Sequence, residues 1–189
     1  ILSLDKKDKK EKYGEAWKII WNEIQKLEML GYSVDWRVLN TRDYGIPQNR
    51  ERLYIVGTMD GEYSWPDRCK MNSIEKYIDN KDASKSITAS DKARLQNGRN
   101  INKDAVFIDI GFVKYSAYPS ADKYAPCITA RTELYSFRKK RYANVKEYLM
   151  LQGFPPSFKQ VVSDRQMKKQ VGNSMSVNVL KKLIKNLTR

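Results

Sequence analysis

Gln48-Asn49-Arg50-Glu51-Arg52 sets two guanidinium-bearing side chains two residues apart, directly before the apolar run Leu53-Tyr54-Ile55-Val56. Gly45 and Pro47 break any helix there and hold the backbone turned or extended, while the apolar run has the composition of a buried strand. In extended chain, residues two apart point to the same side, so Arg50 and Arg52 are expected to deliver their charge to one place. A planar guanidinium suits phosphate oxygens and base carbonyls. An isolated pair of this kind in a basic chain would ordinarily sit on a solvated surface, so the rest of the chain has to decide. A second constellation is Val171-Gly172-Asn173-Ser174-Met175, ahead of an apolar-periodic segment. Asn173 or Ser174 is expected to cap that helix, whose free amides and positive dipole end would favour an anion.

The elements that must position these residues can be read from periodicity. Ala16, Ile20, Ile24 and Leu27 form one stripe over 13–30, widened by Trp17 and Trp21, and Gly31 is a natural stop. Residues 32–39 alternate as a strand with Val34, Trp36 and Val38 on one face, and 53–58 form the next. A helix is expected over 145–151, ended by Gly153-Phe154-Pro155-Pro156, and another over 176–187. Between them, from about 61 to 140, short polar stretches interleave with short apolar runs, the pattern of a small β-rich lobe without a long helix. Basic residues there, among them Arg94, Arg99, Lys114, Arg131 and Arg138, mix with Tyr115, Tyr118, Tyr124 and Tyr135, which suits a nucleic-acid surface. An ordinary basic surface with half-buried tyrosines fits this composition equally well. The run 5–12 is almost wholly charged and reads as a solvated entry.

Bulk properties narrow the class. The 189 residues suffice for one domain with a core and a small appended lobe. Lys and Arg number 36 against 22 acids, a net charge of +14, which favours a polyanionic partner such as nucleic acid. No long apolar span or lipidation motif suggests a membrane, and two cysteines suggest neither a disulfide framework nor a zinc site, so a reducing cytoplasm is expected. With no histidine in the sequence, imidazole acid–base chemistry is excluded from these residues.

Three separated stretches together resemble the DNA cytosine-5 methyltransferases. Gln48-Asn49-Arg50-Glu51-Arg52 looks like the family's Gln-x-Arg-x-Arg motif, the eighth of its ten. Arg141, Glu147 and Leu151-Gln152-Gly153-Phe154-Pro155 look like the ninth, with Ala143-Asn144 where the family has Leu-Thr, and Gln170-Val171-Gly172-Asn173-Ser174-Met175 looks like the tenth. The implied fold is α/β: the C-terminal part of a Rossmann-like S-adenosylmethionine-dependent catalytic domain, residues 1–60 and 141–189, with an inserted β-rich target recognition lobe over 61–140.

The resemblance also implies roles. Arg52 matches the arginine that holds a flipped cytosine by its O2, where a fixed cation stabilises charge developing on the ring, and Arg50 matches its neighbour in that site. Asn173 and Ser174 would close over the cofactor S-adenosylmethionine. Tyr124-Ala125-Pro126-Cys127-Ile128-Thr129-Ala130-Arg131 resembles a Pro-x-x-Thr-x-Arg stretch late in the recognition lobe. Thr129 and Arg131, with Gln48 and Arg138, are thus the expected contacts to double-stranded DNA. The family's cysteine nucleophile, Glu-Asn-Val segment and main cofactor motif precede the eighth motif, and the 47 residues before Gln48 match none of them. Cys127 follows Arg52 and precedes Ile128 where the family has Gln, so it is not expected to be the nucleophile. The expectation is therefore part of a restriction–modification methyltransferase of prokaryotic or phage origin. It would be inactive without a missing N-terminal segment or complementary subunit. The rival is a non-enzymatic DNA-binding module, for which the charge alone would suffice.

Overall fold

A computed structural model describes residues 14–81, 85–97, 105–111 and 123–187. The charged run 5–12 and, in the middle region, Arg99, Lys114, Tyr115 and Tyr118 lie outside the described residues, as does the side chain of Arg94. The chain divides into two compact units, one of residues 1–39, 51–66 and 183–189, the other of 40–50 and 67–182.

The first unit is a helix over a two-stranded sheet. Helix α1, Glu15–Met29, starts behind Gly14 with Glu15 in its first turn, where a carboxylate complements the dipole. It ends in a Schellman turn: Gly31 at φ 91° lets the Tyr32 amide donate back to the Leu27 carbonyl at 3.1 Å. Strands β1, Ser33–Asn40, and β2, Glu51–Thr58, pair with each other. Of the expected helical stripe only Ile24 is fully buried, and Trp17 joins it by packing edge-on against Trp36 at 4.6 Å. Leu27 stays exposed, because a two-stranded sheet is too narrow to cover a wide apolar face. The unit closes on the end of the C-terminal helix, where Tyr63 donates its hydroxyl to the Leu183 carbonyl at 2.8 Å.

The second unit holds the main core. Strands β3, Ile108–Asp109, β4, Leu134–Ser136, and β5, Arg141–Tyr142, form an antiparallel sheet with Ile108 opposite Tyr135 and Tyr135 opposite Tyr142. Helix α2, Ala89–Asn97, was not evident from apolar periodicity, because it is mostly polar. Its start is fixed by Thr88 and Asp91, which exchange hydrogen bonds in a reciprocal cap. Helices α3, Val145–Leu151, α4, Asp164–Asn173, and α5, Val177–Leu187, follow. The buried Tyr148 hydroxyl on α3 accepts from the Leu134 amide at 2.8 Å and donates to the Thr132 carbonyl at 3.0 Å, locking helix to sheet. Burial raises its ionisation well above the ordinary tyrosine value, so it stays a donor.

The compact units do not follow the expected boundary at residue 140. Residues 141–182 share a core with 67–140, since β5 pairs with β4 and α3 bonds into the same sheet.

Asp91 gives this unit an acid-sensitive joint. Burial would raise its carboxyl, but hydrogen bonds from Thr88, the nearby Tyr142 hydroxyl and the Lys85 charge outweigh it and push it down to about 2 from 3.8. A depressed folded value means the contribution is complete above the unfolded value and is lost as pH falls through the folded one. Between pH 4 and 2 the unit should lose at most about 2 kcal/mol from this group. Asp91→Asn should flatten that part of a stability–pH curve followed by urea unfolding.

Candidate functional site

In the second unit the three motif stretches meet in one buried polar network. Gln48, fully buried, donates to the Leu151 carbonyl at 2.7 Å and to Gln152 Oε1 at 2.9 Å, and accepts from the Ile128 amide at 3.2 Å. Its neighbours tie the same strand pair, Asn49 N to Ala125 O at 2.9 Å and Ala125 N to Pro47 O at 2.8 Å. Arg50 is 4 % exposed, and its guanidinium donates to the carbonyls of Ile128, Ser174 (2.7 Å) and Gly172 (3.4 Å), with Cys127 Sγ at 3.6 Å. Gln152 completes the ring by donating to the Ser174 carbonyl at 2.8 Å. A planar multi-donor is what three converging carbonyls require, and a lysine could not span them.

The ninth-motif residues build the second anchor. Glu147 is wholly buried and receives both Arg141 nitrogens at 2.8 Å, the Asp79 amide at 3.0 Å and the Asn144 amide at 2.8 Å. Asn144 in turn caps α3 by accepting from the Glu147 amide at 3.0 Å. The Asn-for-Thr departure from the family pattern therefore preserves the cap, since both side chains accept at that position.

Helix α4 corrects the expected role of the tenth-motif residues in capping. Asn173 is the last residue of α4 and Ser174 its C-cap, so neither opens α5. Both the Ser174 amide (3.1 Å) and its hydroxyl (2.7 Å) donate to the Val171 carbonyl. The side chain nearest the α5 start is Ser176, hydrogen-bonded to Thr41. The capping box Ser163-x-x-Gln166 is the sequence signal for α4, and few apolar residues follow it to mark a helical stripe. Asn173 itself is exposed.

The other expected contacts are dispersed. Thr129 spends its hydroxyl on Thr132 at 3.1 Å in a tight turn, and Arg138 pairs with Glu75 at the surface. Arg131 is exposed and lines a cavity of ≈ 610 Å³. Arg52 lies in the first unit, half-buried, with Nη1 donating to the Glu51 carbonyl at 2.6 Å. Lys168 on α4 donates to the Ala143 carbonyl at 2.8 Å; burial lowers its ammonium from the usual lysine value, opposed by Glu133 and Asp164. Gln152, Arg141 and Glu147 hold these stretches together through buried hydrogen bonds, a part that their motif positions alone do not reveal. Among the described residues no cluster of three potential metal ligands occurs, and no helix is long and apolar enough to cross a membrane.

A mixed α/β chain whose Gln-x-Arg, Gln-Gly-Phe-Pro and Gly-Asn-Ser stretches lock together has the arrangement of a methyltransferase domain. The family model for C-5 cytosine-specific DNA methylases matches residues 6–110 and 62–189, and the chain belongs to that family. Similar curated proteins include the type II methyltransferases M.HaeII of Haemophilus aegyptius, 32% identical over 174 residues, and M.SsoII of Shigella sonnei, 33% identical over 186. These matches cover 89% and 88% of this chain but 54% and 46% of those proteins, so it spans about half their length. Among solved structures, S. pombe Dnmt2 methyltransferase superposes with a TM-score of 0.63 at 19% identity, covering 88% of this chain and 61% of that one. A Spodoptera frugiperda DNMT2 superposes with a TM-score of 0.66 at 18% identity over 93% of this chain and 64% of its own. These two establish the shared fold.

Proposed function

We propose that this chain is the recognition and target-holding half of a restriction–modification enzyme that methylates C5 of a flipped cytosine in duplex DNA. The other half, with the thiolate nucleophile and main cofactor motif, would come from a preceding segment or a complementary subunit. The observation that carries this reading is the buried Gln48–Arg50–Gln152–Ser174 network, which fixes the eighth- and tenth-motif backbones in one frame. A plain DNA-binding lobe has no need of such a frame.

Within this reading Arg50 is a positioning residue, since its guanidinium is engaged by three carbonyls. Arg52 is the catalytic residue. Its guanidinium would donate to cytosine O2 and stabilise the negative charge that appears on the ring as sulfur adds at C6. S-adenosylmethionine, when bound, supplies an electrophilic methyl on a sulfonium. The residues fit such a group in part: Ser174 has its amide, hydroxyl and carbonyl committed within the protein, whereas Asn173 is exposed and its carboxamide would hold the cofactor. The recognition lobe would comprise 61–140, although it shares its core with the following helices. Support for a complementary segment comes from the first unit, where Ile19 is 62%, Met29 87% and Leu30 69% exposed beside a sheet of only two strands.

The test is reconstitution with a segment bearing the Pro-Cys and Glu-Asn-Val motifs, followed by transfer of labelled methyl to DNA and identification of 5-methylcytosine. Arg52→Ala should lower kcat about a hundredfold, the size seen for lost oxyanion-type donors, with little change in non-specific DNA affinity. Absence of 5-methylcytosine from a folded complex would sink the enzyme reading. The second reading, a DNA-binding module without catalysis, draws on the +14 charge and would then stand if the chain still bound duplex DNA.

A further inference from the structure

The cavity of ≈ 610 Å³ in the second unit is not explained by the network above. One wall is the turn that carries Arg131, Thr132 and Glu133; the other is the first two turns of α4, with Arg165, Lys168 and Lys169. Lys85 closes it and pairs with Glu133 at 3.1 Å, while its ammonium also lies 4.4 Å from the Tyr142 ring centre. Five cationic side chains therefore line the cavity against two carboxylates, Glu133 and Asp164. Glu133 is committed to Lys85, and Asp164 accepts from Gln160 at 2.8 Å. By contrast the Arg131 and Arg165 guanidiniums and the Lys169 ammonium have no hydrogen-bond or ion-pair partner among the described residues.

We infer that this cavity is a phosphodiester site that grips the DNA backbone, with Arg165 and Lys169 of α4 as phosphate-binding residues alongside Arg131. The chemistry of the lining selects the ligand. Among the described residues no aromatic ring lines the cavity, so they offer a base or nucleoside nothing to stack on, whereas an anion with several acceptor oxygens meets donors on both walls. The wall formed by the recognition turn is tied to the tenth motif through Gly172, which packs directly on Thr129 and Ala130. A phosphate held here would thus register the duplex against the frame that carries the target-holding motifs, a positioning contact rather than a reader of sequence.

This inference rests on the methyltransferase reading, and the experiment separates the two. Duplex DNA binding by the full chain is followed by fluorescence anisotropy across a salt series. Each phosphate contact contributes about 0.9 to the slope of log affinity against log salt, so Arg165→Gln/Lys169→Gln should lower the slope by roughly two, whatever the DNA sequence. Lys76→Gln/Lys181→Gln removes equal charge from two exposed lysines of the same unit that do not line the cavity, and should leave the slope nearly unchanged. Inorganic phosphate, titrated into labelled protein, should shift amide resonances of 131–133 and 165–169. An unchanged slope in the α4 variant overturns the inference, and with phosphate binding retained it assigns the cavity to a free anion. An equal fall in both variants also overturns it, as a general charge effect. A parent chain that binds no duplex DNA overturns this site's DNA role, while the methyltransferase reading is decided separately by the reconstitution assay.

Discussion

Gly172→Ala is expected to cost the second unit more than about 3 kcal/mol, because overpacking here meets backbone rather than a movable side chain. A Cβ at this position would lie 2.2 Å from both the carbonyl carbon and oxygen of Thr129 and 2.5 Å from the Ala130 nitrogen. Those atoms cannot rotate away. Thr129 is held by its turn with Thr132, and the adjoining Ile128 is bonded to Gln48 and Arg50, so this segment cannot retreat without opening the buried network. The helix cannot retreat either, since the Gly172 and Ser174 carbonyls are both held by Arg50. Amide exchange across α4 should rise sharply in the variant, and its urea midpoint should fall. Gly57→Ala is the comparison: its Cβ would meet Tyr32 and Val34 side chains at 3.5 and 3.6 Å, ordinary contact, and should change stability by well under 1 kcal/mol. Near-equal midpoints for the two variants would show that α4 is not seated on the Thr129 turn.

This glycine also marks where sequence reading stops. The Gly-Asn-Ser stretch is visible as a motif and suggests a cap, but the reason for glycine is a backbone 43 residues earlier that local pattern cannot show. Elements with strong periodicity or sharp punctuation were legible: α1 between Gly14 and Gly31, β1 and β2, α3 before Gly153, and α5. Helices α2 and α4 were not, since both are largely polar and depend on reciprocal side-chain caps more than on an apolar stripe. The arginine pair shows the same limit. Alternation in extended chain put Arg50 and Arg52 together, yet Arg50 precedes the first residue of β2 and turns its charge into the second unit's interior. Its partners, Ile128 and Ser174, lie 78 and 124 residues away, so nothing near it in the sequence marks it as buried.

Glu147→Gln is expected to destabilise the second unit by about 3–5 kcal/mol, the cost of leaving one member of a buried ion pair without its counter-charge. The carboxylate is inaccessible, and the Arg141 side chain is only 12% exposed, so water cannot replace the lost partner. The amide has a further fault. Four donors converge on the two carboxylate oxygens, two from Arg141 and one each from the Asp79 and Asn144 amides. One end of a glutamine would oppose them with its own N–H groups. Arg141→Met should be less damaging, because Glu147 keeps both backbone donors, although its charge then lacks a cation. With Glu147→Met as the matching single change, the double variant Arg141→Met/Glu147→Met removes the buried charges together and should cost much less than the two methionine single changes summed. It should not return to the parent value, since the Asp79 and Asn144 amides remain unsatisfied at about 1–3 kcal/mol each. The exposed Lys26–Glu23 pair, 66% and 62% accessible, provides the contrast, with a loss under about 0.5 kcal/mol on removal of either charge. Urea midpoints for the set distinguish the alternatives. Strict additivity at Arg141 and Glu147 would mean that the pair is not coupled. In that event the cap alone would hold α3, and with it Gln152, in the network that joins the motifs.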